Sequence, residues 1–357
     1  MSHPRIITFC LLLALATALP LQAQDTLPGP NWARRDALQA AAAVDVLAEL
    51  KPLFEHVRAG RDDALLQALQ RIAGAEQWPP PARERILHAF ALGLGDLPTG
   101  SVGPGILDFL LAYRPQTRVA HPDTDLVGVP LFDIATATTG VVNAWERQAG
   151  RDSARGLLPP RGADPGWASQ WTGAYLAAGP ARRQGFADAL DTASPEQVRE
   201  LAAAAVDKLT RTPDMTLVAA RCAMLLADSA LLREVLATGR GPGLAAALQW
   251  ADAALPESER IDLLQRLSHD APPASAALAI AALAPGLLQH PEVADWLFAL
   301  LADPALGAAA ALTLSHSDAP AVQGRLADLA AAGDALSARR AAVAIEAARR
   351  TNAGGER

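Results

Sequence analysis

The feature that most constrains this chain is a run of short helices rich in alanine and leucine, restarting at an acid or hydroxyl residue followed by proline. The clearest restarts are Ser194-Pro195, Thr212-Pro213 and Asp303-Pro304, with His290-Pro291 and Asp334-Ala335 as weaker forms. Beyond residue 213 they recur roughly every 30 residues, which leaves room for two short helices in each interval. Helices of that length are marginal alone in water. They persist only by burying an apolar face on a neighbour, so the pattern predicts helices stacked in succession.

The restarts have a chemical cause. Ser194 can accept a hydrogen bond from an orphan N–H of the first turn, and Pro195 lacks an N–H where none is needed. Gln197 completes a capping box. Asp303-Pro304, Thr212-Pro213 and Asp164-Pro165 are expected to act similarly. Strand-forming residues are sparse. The expected helices are 33–50, 62–74, 81–95, 103–113, 131–150, 165–178, 181–192 and 195–210, with pieces of roughly 11 to 17 residues from 213 to 351. Arg114 to Pro130 reads as non-helical, and Asp125 to Ile134 carries β-favouring residues.

The N-terminus reads as a secretory signal. Arg5 precedes an uncharged apolar run from Ile6 to Leu19, and Leu21-Gln22-Ala23 offers a small-residue cleavage site. This predicts export to the periplasm with cleavage near Ala23. The run is too short for a lasting membrane span. Ala271 to Gln289 is also free of charge, but Pro272, Pro273 and Pro285 interrupt it. The net charge of −7 argues against nucleic acid and anionic membrane as partners. With the signal removed, Cys222 is the remaining cysteine, so an internal disulfide is excluded and stability must come from packing. The expected organisation is a signal at 1–23, a helical region at 24–113, a long loop with middle helices at 114–193, repeats at 194–351 and a frayed tail at 352–357.

Several stretches resemble the HEAT-like repeats of phycobilisome lyase-type proteins, whose short form is D-P-x-V-R-x-A-A-x-x-A-L. Pro195-Glu196-Gln197-Val198-Arg199 followed by Ala202, Ala203 and Ala205 is one copy. Asp303-Pro304-Ala305-Leu306 followed by Ala309 and Ala310 is another, with Gly307 where arginine is usual. Asp334, Arg339, Arg340, Ala341, Ala342 and Ile345 form a third, and His290-Pro291-Glu292-Val293 keeps only the start. The resemblance covers 195–351 and implies an α-solenoid of stacked antiparallel helix pairs. Phe186, Ala189, Leu190 and Pro195 resemble part of a tetratricopeptide repeat, but Arg182 stands where a small residue is required.

Catalytic signatures are missing from the sequence. The seven histidines form no H-x-x-x-H or H-E-x-x-H pair, and there is no G-x-S-x-G elbow, P-loop or dinucleotide fingerprint. No metal or cofactor is implied. Two groups remain as candidate binding residues. His121, Asp123 and Asp125 share a loop and read either as an ordinary turn or as a cation or acid–base site. Trp167, Trp171 and Tyr175 stand at i, i+4 and i+8 on one helical face, near Arg182 and Arg183. They read either as core packing or as an aromatic platform for glycan or peptide.

The fold expected is all-α, a right-handed solenoid with an irregular N-terminal half. The function expected is a non-catalytic scaffold or adaptor that presents a curved surface to a protein or peptide. The alternative is an α/α-toroid polysaccharide lyase or hydrolase of the periplasm.

Overall fold

The computed structural model describes residues 30–120, 128–159, 166–332 and 335–354. Among them are eighteen α-helices and one ribbon of two short strands, so the chain is all-α. The chain divides into two compact units, residues 1–142 and 143–357.

The first unit holds α1 (Arg34–Ala41), α2 (Val46–Arg58), α3 (Asp62–Ala73), α4 (Pro80–Gly93) and α5 (Pro104–Ala112). A ribbon follows, β1 (Arg118–Val119) against β2 (Val129–Pro130), antiparallel with Arg118 opposite Pro130. Next comes α6 (Ile134–Gly156), which runs across the division. The expected helix at 33–50 is in fact two. The Asp45 carboxylate accepts from the N–H groups of Leu47 and Ala48 and starts a new helix there. That helix then passes through Pro52 to Arg58. The centre of the unit is α4, which packs on α1, α2 and α3. Accordingly Ile86, Leu87, Phe90 and Ala91 are fully buried.

The second unit continues with α7 (Trp167–Ala177), α8 (Pro180–Ala189), α9 (Pro195–Leu209), α10 (Thr216–Leu225), α11 (Ser229–Thr238), α12 (Pro242–Ala254) and α13 (Glu257–Asp270). It ends with α14 (Pro273–Leu283), α15 (Pro291–Leu300), α16 (Gly307–Leu314), α17 (Pro320–Ala331) and α18 (Leu336–Gly354). The packing is regular. Each even-numbered helix from α10 to α16 packs on the next even-numbered one, forming a row that ends at α18. The intervening odd-numbered helices pack beside that row, α9 and α11 on α10, α13 on α14, α15 on α16 and α17 on α18.

The helix starts test the capping expectations one by one. Ser194 and Gln197 form a complete capping box. Asp303 accepts from the N–H groups of Ala305 and Leu306, one turn before α16 begins. Thr212 makes no such bond. Pro213 instead opens a short 3-10 turn, and the Thr216 hydroxyl donates to the Pro213 carbonyl. His290 does not cap either, because its ring is engaged by Glu257 at 2.5 Å. Asp164-Pro165 and Asp334 lie outside the described residues, as does the signal segment.

The apolar stripe of α16 is the core of its contact. Ala310, Thr313 and Leu314 are buried, as is Leu306 just before the helix. The charge-free stretch after Ala271 becomes α14 and a 3-10 turn, Ala284–Leu287. No helix of the described residues is long and apolar enough to cross a membrane. Cys222 is buried in α10, and burial pushes its thiol up to about 12.

Candidate functional surface

The aromatic stripe of α7 comes together as a packed cluster. Trp171 and Tyr175 are both buried and stack at 5.9 Å with a 5° angle between rings. Phe186 of α8 meets both edge-on, at 5.1 and 6.0 Å. The Tyr175 hydroxyl donates to the Asp214 carbonyl at 2.7 Å. Burial pushes the phenol well above its ordinary range. Neither ring face is open to a ligand, so an aromatic platform for glycan or peptide is not built from these two residues. Trp167 is half-buried and donates its indole N–H to Glu200 at 2.5 Å.

The two arginines are fixed differently. Arg183 donates to the carbonyls of Tyr175 and Leu176, pairs with Asp214 and lies 5.7 Å over the Tyr175 ring. It closes the C-terminus of α7, where cations and donors are favoured. Arg182 pairs with Glu146 of α6 at 2.5 Å. The aromatics and Arg183 are therefore brought together, but as structure. His121, Asp123 and Asp125 lie outside the described residues. No group of three or more His, Cys, Asp or Glu side chains suited to a metal occurs among the described residues.

A different surface is set apart by its chemistry. Helices α10, α12, α14 and α16 carry two charged residues between them, Arg221 and Asp252. Both are engaged, Arg221 with Asp191 and Asp252 with Arg260. By contrast α13 alone carries Glu257, Glu259, Arg260, Asp262, Arg266 and Asp270. The reason is packing. A row helix such as α14 touches α12, α13 and α16, so three sides are covered by protein. A charge on any of them would be desolvated without a partner.

What remains uncovered on α10, α12, α14 and α16 is largely apolar, with Gln249 and Asp252 as exposed polar side chains, whereas α18 at the end of the row exposes Arg339, Glu346 and Arg349. Among the described residues of this unit, the large apolar side chains left exposed are Leu225, Leu312, Leu336 and Val343, all on row helices. Trp250 and Leu278 add half-buried apolar surface to α12 and α14. The odd-numbered helices are ionic, with Glu196, Arg199, Arg233, Glu259 and Asp295 among their charged residues, and so is α18.

No protein-family model, curated protein or solved structure matches this chain.

Two further features escaped sequence reading. Glu84 of α4 is fully buried and accepts backbone N–H bonds from Gln116 at 2.5 Å and Thr117 at 3.1 Å. It anchors the stretch leading into β1. Burial raises its pKa above the ordinary carboxylate value against those hydrogen bonds. In R-E-R-I-L it looks like a solvated helix residue, and only the central place of α4 buries it. The second feature is a groove of about 480 Å³ between α2 and α3. Its lining comes from two helices and a loop, so no contiguous motif announces it.

Proposed function

We propose that α9 to α18 form a HEAT-like α-solenoid of stacked antiparallel helix pairs, and that the protein is an exported, non-catalytic scaffold. In this reading the row helices present their uncovered face to an uncharged, apolar segment of a partner protein or peptide. The supporting observation is the charge asymmetry, with α10, α12, α14 and α16 nearly free of charge beside ionic outer helices and an ionic α18 at the end of the row. Contiguous exposed apolar surface marks interaction sites on soluble proteins. A row of helices with a free apolar face offers the elongated surface that repeat proteins use for binding. Cleavage near Ala23 and a periplasmic location belong to the same proposal, on the charge and hydropathy of residues 1–23.

Leu312 and Val343 are exposed, so glutamate at either position leaves the core intact. Affinity capture from an envelope extract with the wild-type chain, Leu312→Glu, Val343→Glu and the outer-helix control Glu196→Ala tests the reading. The proposal expects a shared partner retained by the control and lost by both glutamate variants. Retention by all four proteins, or turnover of acidic polysaccharides by the purified protein, contradicts it. Determination of the N-terminus of the exported protein checks the signal.

A further inference from the structure

The groove in the first unit is built from matching faces of a helical hairpin. From α2 come Glu49, Pro52, Leu53 and His56, at i, i+3, i+4 and i+7, and from α3 and its end come Ala68, Arg71, Ile72 and Ala75 at the same offsets. These offsets place each set on one helical face. Gln77 and Trp78 close the groove from the loop that follows. None of α9 to α18 contributes to it.

The lining separates into an apolar floor and a polar rim. Leu53, Ala68, Ile72 and Ala75 are buried and form the floor. Glu49, His56, Arg71 and Gln77 supply the polar groups. No ion pair or side-chain hydrogen bond to another described residue engages any of these four. The Nδ1 atom of His56 is shielded from solvent and has no hydrogen-bond partner. An atom that water does not reach is not reached by a ligand in the groove either, so this nitrogen is not one of the ligand-facing groups. The volume of about 480 Å³ lies within the range of small-molecule sites, and an apolar floor with a few placed polar groups is their usual composition.

The charges specify the ligand class. Glu49 and Arg71 oppose each other in sign, so the groove favours neither an anion nor a cation. A guanidinium offers only donors, and a carboxylate only acceptors. Together they match a group that carries both, and the peptide bond and the paired termini of a short peptide do so. Trp78 and the floor then take an apolar side chain. A saccharide would use the same rim but leave the aliphatic floor without a complement. We propose that this groove binds a di- or tripeptide with free termini and at least one large apolar side chain. Arg71 donates to its carbonyl or carboxylate oxygens, Glu49 accepts from its N–H groups, and Trp78 packs on its side chain.

Isothermal titration of the full chain with the dipeptide Leu-Phe, and separately with maltose, tests this. Arg71 is exposed, so Arg71→Ala is expected to keep the thermal midpoint of the wild type. Saturable heat with Leu-Phe, weakened about tenfold or more in Arg71→Ala as expected for a lost charged hydrogen bond, supports the proposal. Loss of the heat in Trp78→Ala supports the apolar subsite. Heat with maltose alone, no heat with Leu-Phe at millimolar concentration, or equal affinity in the wild type and Arg71→Ala overturns it.

Discussion

The Tyr175 hydroxyl donates a 2.7 Å hydrogen bond to the backbone carbonyl of Asp214, 39 residues further along the chain. It joins α7 to the turn that launches α10, the first helix of the row. Arg183 reinforces the same join from the other side by pairing with the Asp214 carboxylate. Similar ties recur along the unit, with Arg221 bonded to Asp191 and Arg325 to Asp295, each 30 residues away. These long-range side-chain bonds tie α10 to the turn after α8 and α17 to α15.

The first prediction concerns that join. Tyr175→Phe keeps the ring and removes the donor, and is expected to cost about 1 kcal/mol. Trp171→Ala removes a fully buried ring and should cost about 3–5 kcal/mol. Urea unfolding followed by far-ultraviolet circular dichroism measures both. A Trp171→Ala protein as stable as wild type would place that ring outside the core.

A second prediction follows from the crossing of α6 and α8. At Gly150 the backbone lies against Arg182, and at Gly185 against the carbonyl of Arg147, so that a Cβ at either position would overlap backbone atoms. Ion pairs flank the crossing, with Asp188 bound to Arg147 and Arg151. Burial acts to raise the Asp188 pKa, but the hydrogen bonds and charge of Arg147, together with the hydrogen bonds from Gln184 and Arg151, outweigh it and hold the carboxyl below its usual value. Gly185→Ala and Gly150→Ala should each destabilise by about 1–3 kcal/mol through overpacking. Gly173 in α7 has open space where its Cβ would go, so Gly173→Ala should stabilise by about 0.5–1 kcal/mol. Thermal denaturation of the three variants gives the comparison.

The third prediction is a pH dependence. The folded pKa of Glu84 is raised by burial, so its ionised form is disfavoured in the folded state relative to the unfolded chain. The penalty is absent below the unfolded value and grows as pH rises through the folded value. Glu84→Gln keeps an acceptor oxygen for Gln116 and Thr117 but cannot ionise. The stability of the variant relative to wild type should therefore increase with pH above about 4.5. Urea midpoints of both proteins from pH 4 to pH 8 check the sign. A difference independent of pH would contradict it.

The fourth prediction is chemical. Burial in α10 and a pKa pushed up to about 12 leave the Cys222 thiol both inaccessible and protonated at neutral pH. Alkylation of Cys222 in the native protein, followed by peptide mass spectrometry, should proceed only at the rate of unfolding. Modification within minutes in native buffer would show an open thiol.

Much of the helical order was legible because its signals are local. Ser194, Pro195 and Gln197 specify a helix start within four residues, and the structure carries the whole capping box. Thr212-Pro213 has the same appearance, yet Thr216 makes the bond, since the chain turns through a 3-10 segment before α10. The break before α2 was hidden by an unbroken alanine run, and Asp45 alone marks it. The i, i+4, i+8 spacing of Trp167, Trp171 and Tyr175 identifies a shared face but carries no sign for inside or outside. Phe186, which meets that face, is what decides the matter. Glu84 and the groove were illegible for a related reason, because burial and convergence depend on which helices become neighbours.

Native-state hydrogen exchange tests the central claim, that the even-numbered helices from α10 onward form a packed row on which the outer helices depend. The account predicts that the amides of α12, α14 and α16, each covered on three sides, are the slowest to exchange. Those of α11, α13, α15 and α17 should exchange faster, and protection should fall toward α18, where the row ends. Outer helices protected as strongly as the row, or one uniform rate across the unit, would contradict it.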